Sequence, residues 1–353
     1  MNVLSLFDGI SCARVSLDRA GIKVKTYFAC EIEKNAIKIS QKNYPDIRQL
    51  GDVREVHTFD EPIHLLVGGS PCTDLSIAKK DRKGLQGEHS SLFWEYVRIL
   101  KEVKPKYFIL ENVASMPARD KEVITAHLGV DPILINASLV SAQCRKRFFW
   151  TNIPNVTQPE DRGILLKHIL QPHAEVEESM TVKGKSLCLT ASYHKKDDEQ
   201  NEYEPNKKTK QRTMVIDGAA IRGRQNEQGE WIQTLNVRGD GKANALTHSH
   251  TTKTSMVKVG HIGTDDAQAN RVYDPEGKSC TLQANGGGLG AKTGLYQMKS
   301  RIRKLTPIEC ERLQGLPDNY TEGVAKTHRY KCLGNAFNVD VIAHILSFLP
   351  NDY

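Results

Sequence analysis

An α/β fold, built on a doubly wound, mostly parallel sheet with a smaller β-rich unit attached, is what the sequence predicts. Three observations carry it. Short apolar runs alternate with helical segments from residue 1 to about 175, the pattern of strands joined by crossover helices. A glycine turn follows the first apolar run at once, and beyond residue 175 apolar runs thin out while Gly, Thr, Asn and His increase.

The elements follow in order. The first strand is Asn2 to Leu6, and after the turn a short helix through Ala13, Val15 and Leu17 is stopped by Gly21, a residue that tolerates the left-handed cap. Next come an apolar run from Tyr27 to Ala29, a helix carrying Ala36 and Ile37, and a strand from Ile63 to Val67 that runs into Gly68-Gly69-Ser70-Pro71-Cys72. Between Ser91 and Lys104, the residues Leu92, Phe93, Tyr96, Val97, Leu100 and Val103 share one helical face, and Pro105 ends that helix. The strand Tyr107 to Leu110 then leaves Glu111 at its carboxyl end. Open parallel sheets bind ligands beyond those ends, so Asp8, Glu31, Cys72 and Glu111 are expected along one rim.

Past residue 175 a charged span from Lys195 to Arg212 reads as a solvated loop, being too polar to bury. An element recurs as Gly184 to Thr190, Gly241 to Thr247 and Gly277 to Gln283, each opening on Gly-Lys. The unequal spacing excludes a solenoid; a repeated turn and strand offering Lys, Thr, Asn and His beyond it would suit a surface that grips DNA, the alternative being a solvated β-rich insertion whose copies are alike by chance. Thr306-Pro307-Ile308-Glu309 is a capping box with Pro at the first helical position, Gly315 stops that helix, and an apolar helix from Val339 to Phe348 is expected to return to the first domain. The boundaries read as 1–176, 177–320 and 321–353.

Composition narrows the function. A net charge of +7 over 353 residues suits a polyanionic partner without proving one. No apolar stretch approaches the ~18 residues of a membrane span, and the first residues lack a basic n-region, so a cytoplasmic protein is expected. The eight cysteines are scattered, with no C-x-x-C pair, which argues against a zinc site or a disulfide framework. Most are expected to be buried thiols.

Taken alone, Cys72 is more readily a core thiol than a nucleophile. Its setting reverses that reading, because it follows an apolar strand and precedes the basic stretch Lys79-Lys80-Asp81-Arg82-Lys83-Gly84, whose field favours thiolate. With these residues in view, the chain resembles the cytosine-5 DNA methyltransferases along nearly its whole length. Leu4 to Gly9 is similar to that family's cofactor-loop motif, Glu31 to its ribose-binding acid and Gly51-Asp52-Val53 to its adenine-contacting motif. Pro71-Cys72 is similar to its nucleophile motif, Glu111-Asn112-Val113 to its base-activating motif and Gln143-Cys144-Arg145-Lys146-Arg147 to its Q-x-R-x-R motif. Arg303 to Pro317 and Gly334-Asn335 match the last two motifs. One departure stands out: Ser11 and Cys12 occupy positions where many members carry glycine.

The resemblance implies that Cys72 attacks carbon 6 of the target cytosine, that Glu111 activates the ring and that Arg145 clamps the base or its phosphate. Carbon 5 is too weak a nucleophile unaided, and thiolate addition converts it into an enamine carbon. S-adenosylmethionine, leaving as S-adenosylhomocysteine, would be held by Phe7, Asp8, Gly9, Ile10, Ser11, Glu31, Ile32, Asp52, Val53, Gly69, Pro71, Asn335 and Ala336. Double-stranded DNA would meet Ser76, Lys79, Lys80, Arg82, Lys83, Gln143, Arg147, Arg301 and Arg303, with the segment Thr73 to Ser90 as a lid over a flipped-out base. No metal is expected. A monomer serving a restriction-modification system, with a cognate endonuclease as partner, is the implied setting. The alternatives weighed are a transfer-RNA cytosine methyltransferase of the same architecture, an inert DNA-binding regulator and a cysteine hydrolase using His57, His64 or His89.

Overall fold

The computed structural model describes residues 1–70, 92–171, 181–182, 185–186, 219–225, 231–237, 258–261, 271–284, 292–298 and 301–350. The chain divides into two compact units. The first comprises Met1–Ile164, Thr281–Ala284 and Pro307–Tyr353; the second comprises Leu165–Cys280 and Asn285–Thr306.

The first unit is built on β1 (Asn2–Leu6), α1 (Cys12–Arg19), β2 (Thr26–Cys30), α2 (Lys34–Asn43), β3 (Arg48–Gln49) and β4 (Leu65–Gly68). It continues with α3 (Leu92–Val103), β5 (Tyr107–Val113), α4 (Ala118–Leu128), β6 (Ile133–Asn136) and β7 (Lys146–Thr151), then α5 (Pro307–Leu313), α6 (Lys326–Asn335) and α7 (Val339–Leu346). The seven strands form one sheet in the order β3-β2-β1-β4-β5-β7-β6. All pairings are parallel except those of β7, which runs against both β5 and β6. This is the Rossmann-like methyltransferase fold, as the sequence predicted.

Every residue of β1, β2 and β4 is buried, as strands covered on both faces must be. Leu4, Leu6, Leu66, Phe108 and Leu110 pack with Phe93, Tyr96 and Ile99 of α3 and with Trp150 in one continuous core. Two helices end as glycine predicts. Gly21 and Gly315 both take left-handed φ; behind them Ile22 N–H reaches Leu17 O, and Leu316 N–H reaches Glu311 O, the six-to-one bond of a Schellman cap.

The parallel register aligns Leu6 with Cys30 on one side and Gly68 on the other, and Gly68 with Leu110. Phe7, Glu31, Gly69 and Glu111 therefore follow one another along a single edge. Strand β5 does not stop at Leu110 as expected. It continues to Val113 because β7 supplies antiparallel partners there, Glu111 opposite Phe149 and Val113 opposite Arg147.

The observed unit boundaries at 164 and 307 replace the expected 176 and 320. Leu166 and Lys167 donate backbone bonds to Gly277 O and Pro275 O within the second unit, so the chain has already left the first. Helix α5 belongs to the first unit, where Leu313 O accepts from Ser141 Oγ at 2.6 Å and Asn338 Nδ2 at 3.0 Å. Within the first unit, Ser16 Oγ of α1 donates to Val339 O at the start of α7.

The second unit contains the pairs β8 (Thr181–Val182) with β9 (Lys185–Ser186) and β10 (Ala219–Gln225) with β11 (Trp231–Val237). A further sheet joins β12 (Lys258–His261), β13 (Arg271–Tyr273), β14 (Leu295–Met298) and β15 (Arg301–Arg303). Of the three Gly-Lys elements, only the last is described throughout. There Gly277 closes a turn onto Asp274 O, but Lys278 is fully buried.

Gly334 packs onto the backbone of residues 283 and 284, and a Cβ added to it would stand 2.2 Å from Ala284 N. Backbone cannot step aside as a side chain does. Gly334→Ala is expected to cost about 3 kcal/mol or to prevent folding, measured as the urea midpoint of the purified chain.

Candidate active site

The loop after β1 is shaped by alternate left-handed residues, Phe7 at φ 56°, Gly9 at 61° and Ser11 at 61°. Glycine adopts this conformation freely, whereas Phe7 and Ser11 each bear about 1 kcal/mol of strain. Local bonds offset it. Asp8 N–H donates to Cys30 O at 3.0 Å, and Ser11 Oγ donates to Asp8 Oδ2 at 2.5 Å and meets Ser40 Oγ at 2.6 Å. Serine thus occupies the family's glycine position by anchoring its hydroxyl inward.

Asp8 points into the protein, where Tyr27 Oη donates to its other oxygen at 2.7 Å. Burial pushes its carboxyl above the usual range, and the hydroxyls of Ser11, Ser5 and Tyr27 pull the other way. Ile10, Ser11 and Val53 are also buried. With Ala336, five of the described residues expected to hold a cofactor are buried.

Glu31, next to the end of β2, accepts from Gly9 N–H at 2.8 Å through Oε2, and from Ile32 and Glu33 N–H at 2.8 Å through Oε1. Ile32 beside it is 67% exposed, unusual for so apolar a side chain. Asp52 caps the following short turn by accepting from Arg54 N–H, and the Arg54 guanidinium holds its carboxyl down at about 2.

Farther along the sheet edge lies a second cluster. Glu111 Oε1 pairs with Arg147 Nε at 2.9 Å, both side chains largely buried. The two are diagonal neighbours across β5 and β7, a spacing that long side chains bridge. Gly69 approaches so closely that a Cβ there would lie 3.2 Å from Glu111 Oε2 and 2.6 Å from Phe337 Cε1. Asn112 Nδ2 donates to Ser70 Oγ at 3.1 Å and Ser70 O at 3.4 Å, tying β5 to the chain where it leaves β4.

Arg145 lines the same small cavity as Glu111 and Arg147. It is 4% exposed, and its guanidinium donates to Ala336 O at 2.9 Å, Gly334 O at 3.3 Å and Leu282 O at 3.4 Å. The arginine at the carboxylate is Arg147, which the sequence reading gave to DNA. Position along the chain separates the two: Arg147 lies within β7, on the face that carries Phe149 opposite Glu111, whereas Arg145 precedes the strand. Gln143, also expected at DNA, is fully buried. Asn335 is exposed at the end of α6, and Ala336 is buried beside it.

Pro71, Cys72, Ser76, Lys79, Lys80, Arg82, Lys83 and the expected lid fall outside the described residues. Arg301 and Arg303 are the end residues of β15. Five of the six described cysteines, Cys12, Cys30, Cys280, Cys310 and Cys332, are buried. Among the described residues, no helix is long and apolar enough to cross a membrane. The sequence reading missed Asn112 as a brace and Phe337 as a neighbour of Gly69; each stands beside a residue it did single out.

A carboxylate–arginine pair on β5 and β7 and a glycine-containing loop after β1 thus lie along one edge of the sheet. The sequence model of the C-5 cytosine-specific DNA methylases matches residues 1–350. The chain belongs to that family. The type II methyltransferase M.HhaI of Haemophilus parahaemolyticus is 26% identical over 364 residues, 98% of this chain and 93% of that protein. The orphan methyltransferase M.SPRI of Bacillus phage SPR is 26% identical over 437 residues, covering 100% and 98%. The solved structure of the S. pombe Dnmt2 methyltransferase superposes with a TM-score of 0.59 at 15% identity, over 98% of this chain and 97% of that one, a likeness of fold.

This C-5 cytosine methylase carries its buried Asp8 directly under the loop after β1, which ties stability to pH. Its folded-state pKa lies above the ordinary 3.8, so the folded protein binds more protons than the unfolded chain and loses stability as pH rises from that value. Asp8→Asn lacks this proton. The Tm of the wild type relative to Asp8→Asn is expected to fall between pH 4 and pH 7, read by thermal melts in matched buffers.

Proposed function

We propose that this enzyme transfers a methyl group from S-adenosylmethionine to carbon 5 of a cytosine flipped out of duplex DNA, through a covalent bond between Cys72 and carbon 6. The observation that carries the reading is the Glu111–Arg147 pair at the edge of the sheet, facing Gly69, two residues before Pro71.

The residues fit the cofactor. Gly9 is open where a Cβ would stand, Glu31 is held by three backbone N–H groups and keeps lone pairs for ribose hydroxyls, and exposed Ile32 offers an apolar face to adenine. The start of α1 suits the methionine carboxylate. Asp52 and Val53 would contact adenine, with Gly69, Pro71, Asn335 and Ala336 completing the wall. Once bound, S-adenosylmethionine supplies an electrophilic methyl group.

The chain's own groups do the rest. Glu111 holds N3 and the exocyclic amine of the base, sharing a proton as charge develops on the ring. Arg147 orients that carboxylate, and Arg145 lines the same cavity. Asn112 fixes Ser70 and with it the start of the segment that carries Cys72. Lys79, Lys80, Arg82, Lys83, Arg301 and Arg303 supply phosphate contacts, which position without specifying sequence. A cognate endonuclease and a monomeric state are part of the same reading.

Cys72→Ala is expected to abolish methyl transfer while retaining DNA binding, and only the wild type should form a denaturation-resistant adduct with duplex containing 5-fluorocytosine. Near-normal turnover by the alanine variant would sink the covalent mechanism. Glu111→Gln is expected to slow single-turnover methylation by about 100-fold with little change in cofactor affinity by titration. Supplying duplex DNA and transfer RNA in parallel decides the substrate.

A further inference from the structure

Phe337 has no part in that chemistry, yet it lines the same small cavity as Glu111, Arg145, Arg147 and Phe149. Its ring edge lies against Gly69 at the same point that faces Glu111 Oε2. The backbone on either side is fastened. Arg145 grips the carbonyls of Gly334 and Ala336, Gln314 Nε2 donates to Leu333 O at 2.7 Å, and Gly334 is wedged against Ala284. On the far side, Asn338 caps α7 through Val341 N–H at 3.1 Å and donates to Leu313 O. A rim residue of an exposed cleft needs no such bracing.

We propose that Phe337 is the water-excluding wall of the target-base pocket, and that Arg145 is the positioning residue that holds it there. The proposal rests on the cytosine chemistry inferred above. When the Cys72 thiolate bonds to carbon 6, the electron pair of the ring double bond moves to carbon 5. That carbon then takes either the methyl group, whose bonding pair stays with the cofactor sulfur, or a proton from water, leaving hydroxide. Loss of the original carbon 5 hydrogen as a proton restores the double bond, and the carbon–sulfur pair returns to Cys72. Protonation is thus a futile exchange that competes with transfer, and an apolar cover beside the carboxylate suppresses it.

The test uses the full chain, mixed-sequence duplex DNA tritiated at cytosine carbon 5, and methyl-labelled S-adenosylmethionine. Tritium release and methyl incorporation are counted in the same reaction, so their ratio is independent of the fraction of enzyme folded. The wild type is expected to release about one tritium per methyl group, since each transfer expels one hydrogen. Phe337→Ala should raise the ratio about tenfold, whereas Phe337→Leu, which keeps apolar bulk, should stay within about twofold. Arg145→Lys, unable to span three carbonyls, should raise it about threefold. A wild-type ratio in Phe337→Ala, at whatever overall rate, overturns the wall; a wild-type ratio in Arg145→Lys overturns its positioning role. Wild-type enzyme that releases and incorporates nothing would instead defeat the underlying cytosine reading.

Discussion

Parallel hydrogen bonding that sets Leu6, Cys30, Gly68 and Leu110 at one level of the sheet is the constraint on which the rest depends. Side chains that follow these residues emerge side by side, whatever their separation in sequence. Gly9 thereby meets Glu31, and Gly69 meets Glu111. A slip of one residue in either pairing would turn every side chain of that strand to the other face, and the buried faces of β1, β2 and β4 forbid it.

The reversed strand β7 gives the edge its second half. Running antiparallel to β5, it pairs as far as Val113 and brings Arg147 to the Glu111 carboxylate. Neither group is then left as an isolated buried charge, whose desolvation would be costly. Close packing completes the arrangement. Gly69 admits Phe337, Gly334 admits residues 283 and 284, and Arg145 satisfies carbonyls that the end of α6 leaves without helical partners.

Much of this was legible from local chemistry. Strands β1 and β2, helix α3, and the glycine stops at Gly21 and Gly315 follow from apolar periodicity and from the left-handed conformation only glycine adopts cheaply. Ordered motifs marked Glu31 and Glu111. The two arginines were not separable in this way, since Arg145 and Arg147 have the same charge and lie two residues apart. Their difference arises from the strand register and from carbonyls nearly two hundred residues away.

By itself the sequence determined the alternation of strands and helices, the glycine turn, the acidic residues Glu31 and Glu111 and membership in a family, because each is written in neighbouring residues. Only the tertiary structure decided which arginine faces the carboxylate, that Asp8 and Lys278 turn inward, and that Phe337 stands against Gly69. Those outcomes depend on contacts between segments far apart in the chain, where packing selects one partner among several that local preference leaves equal.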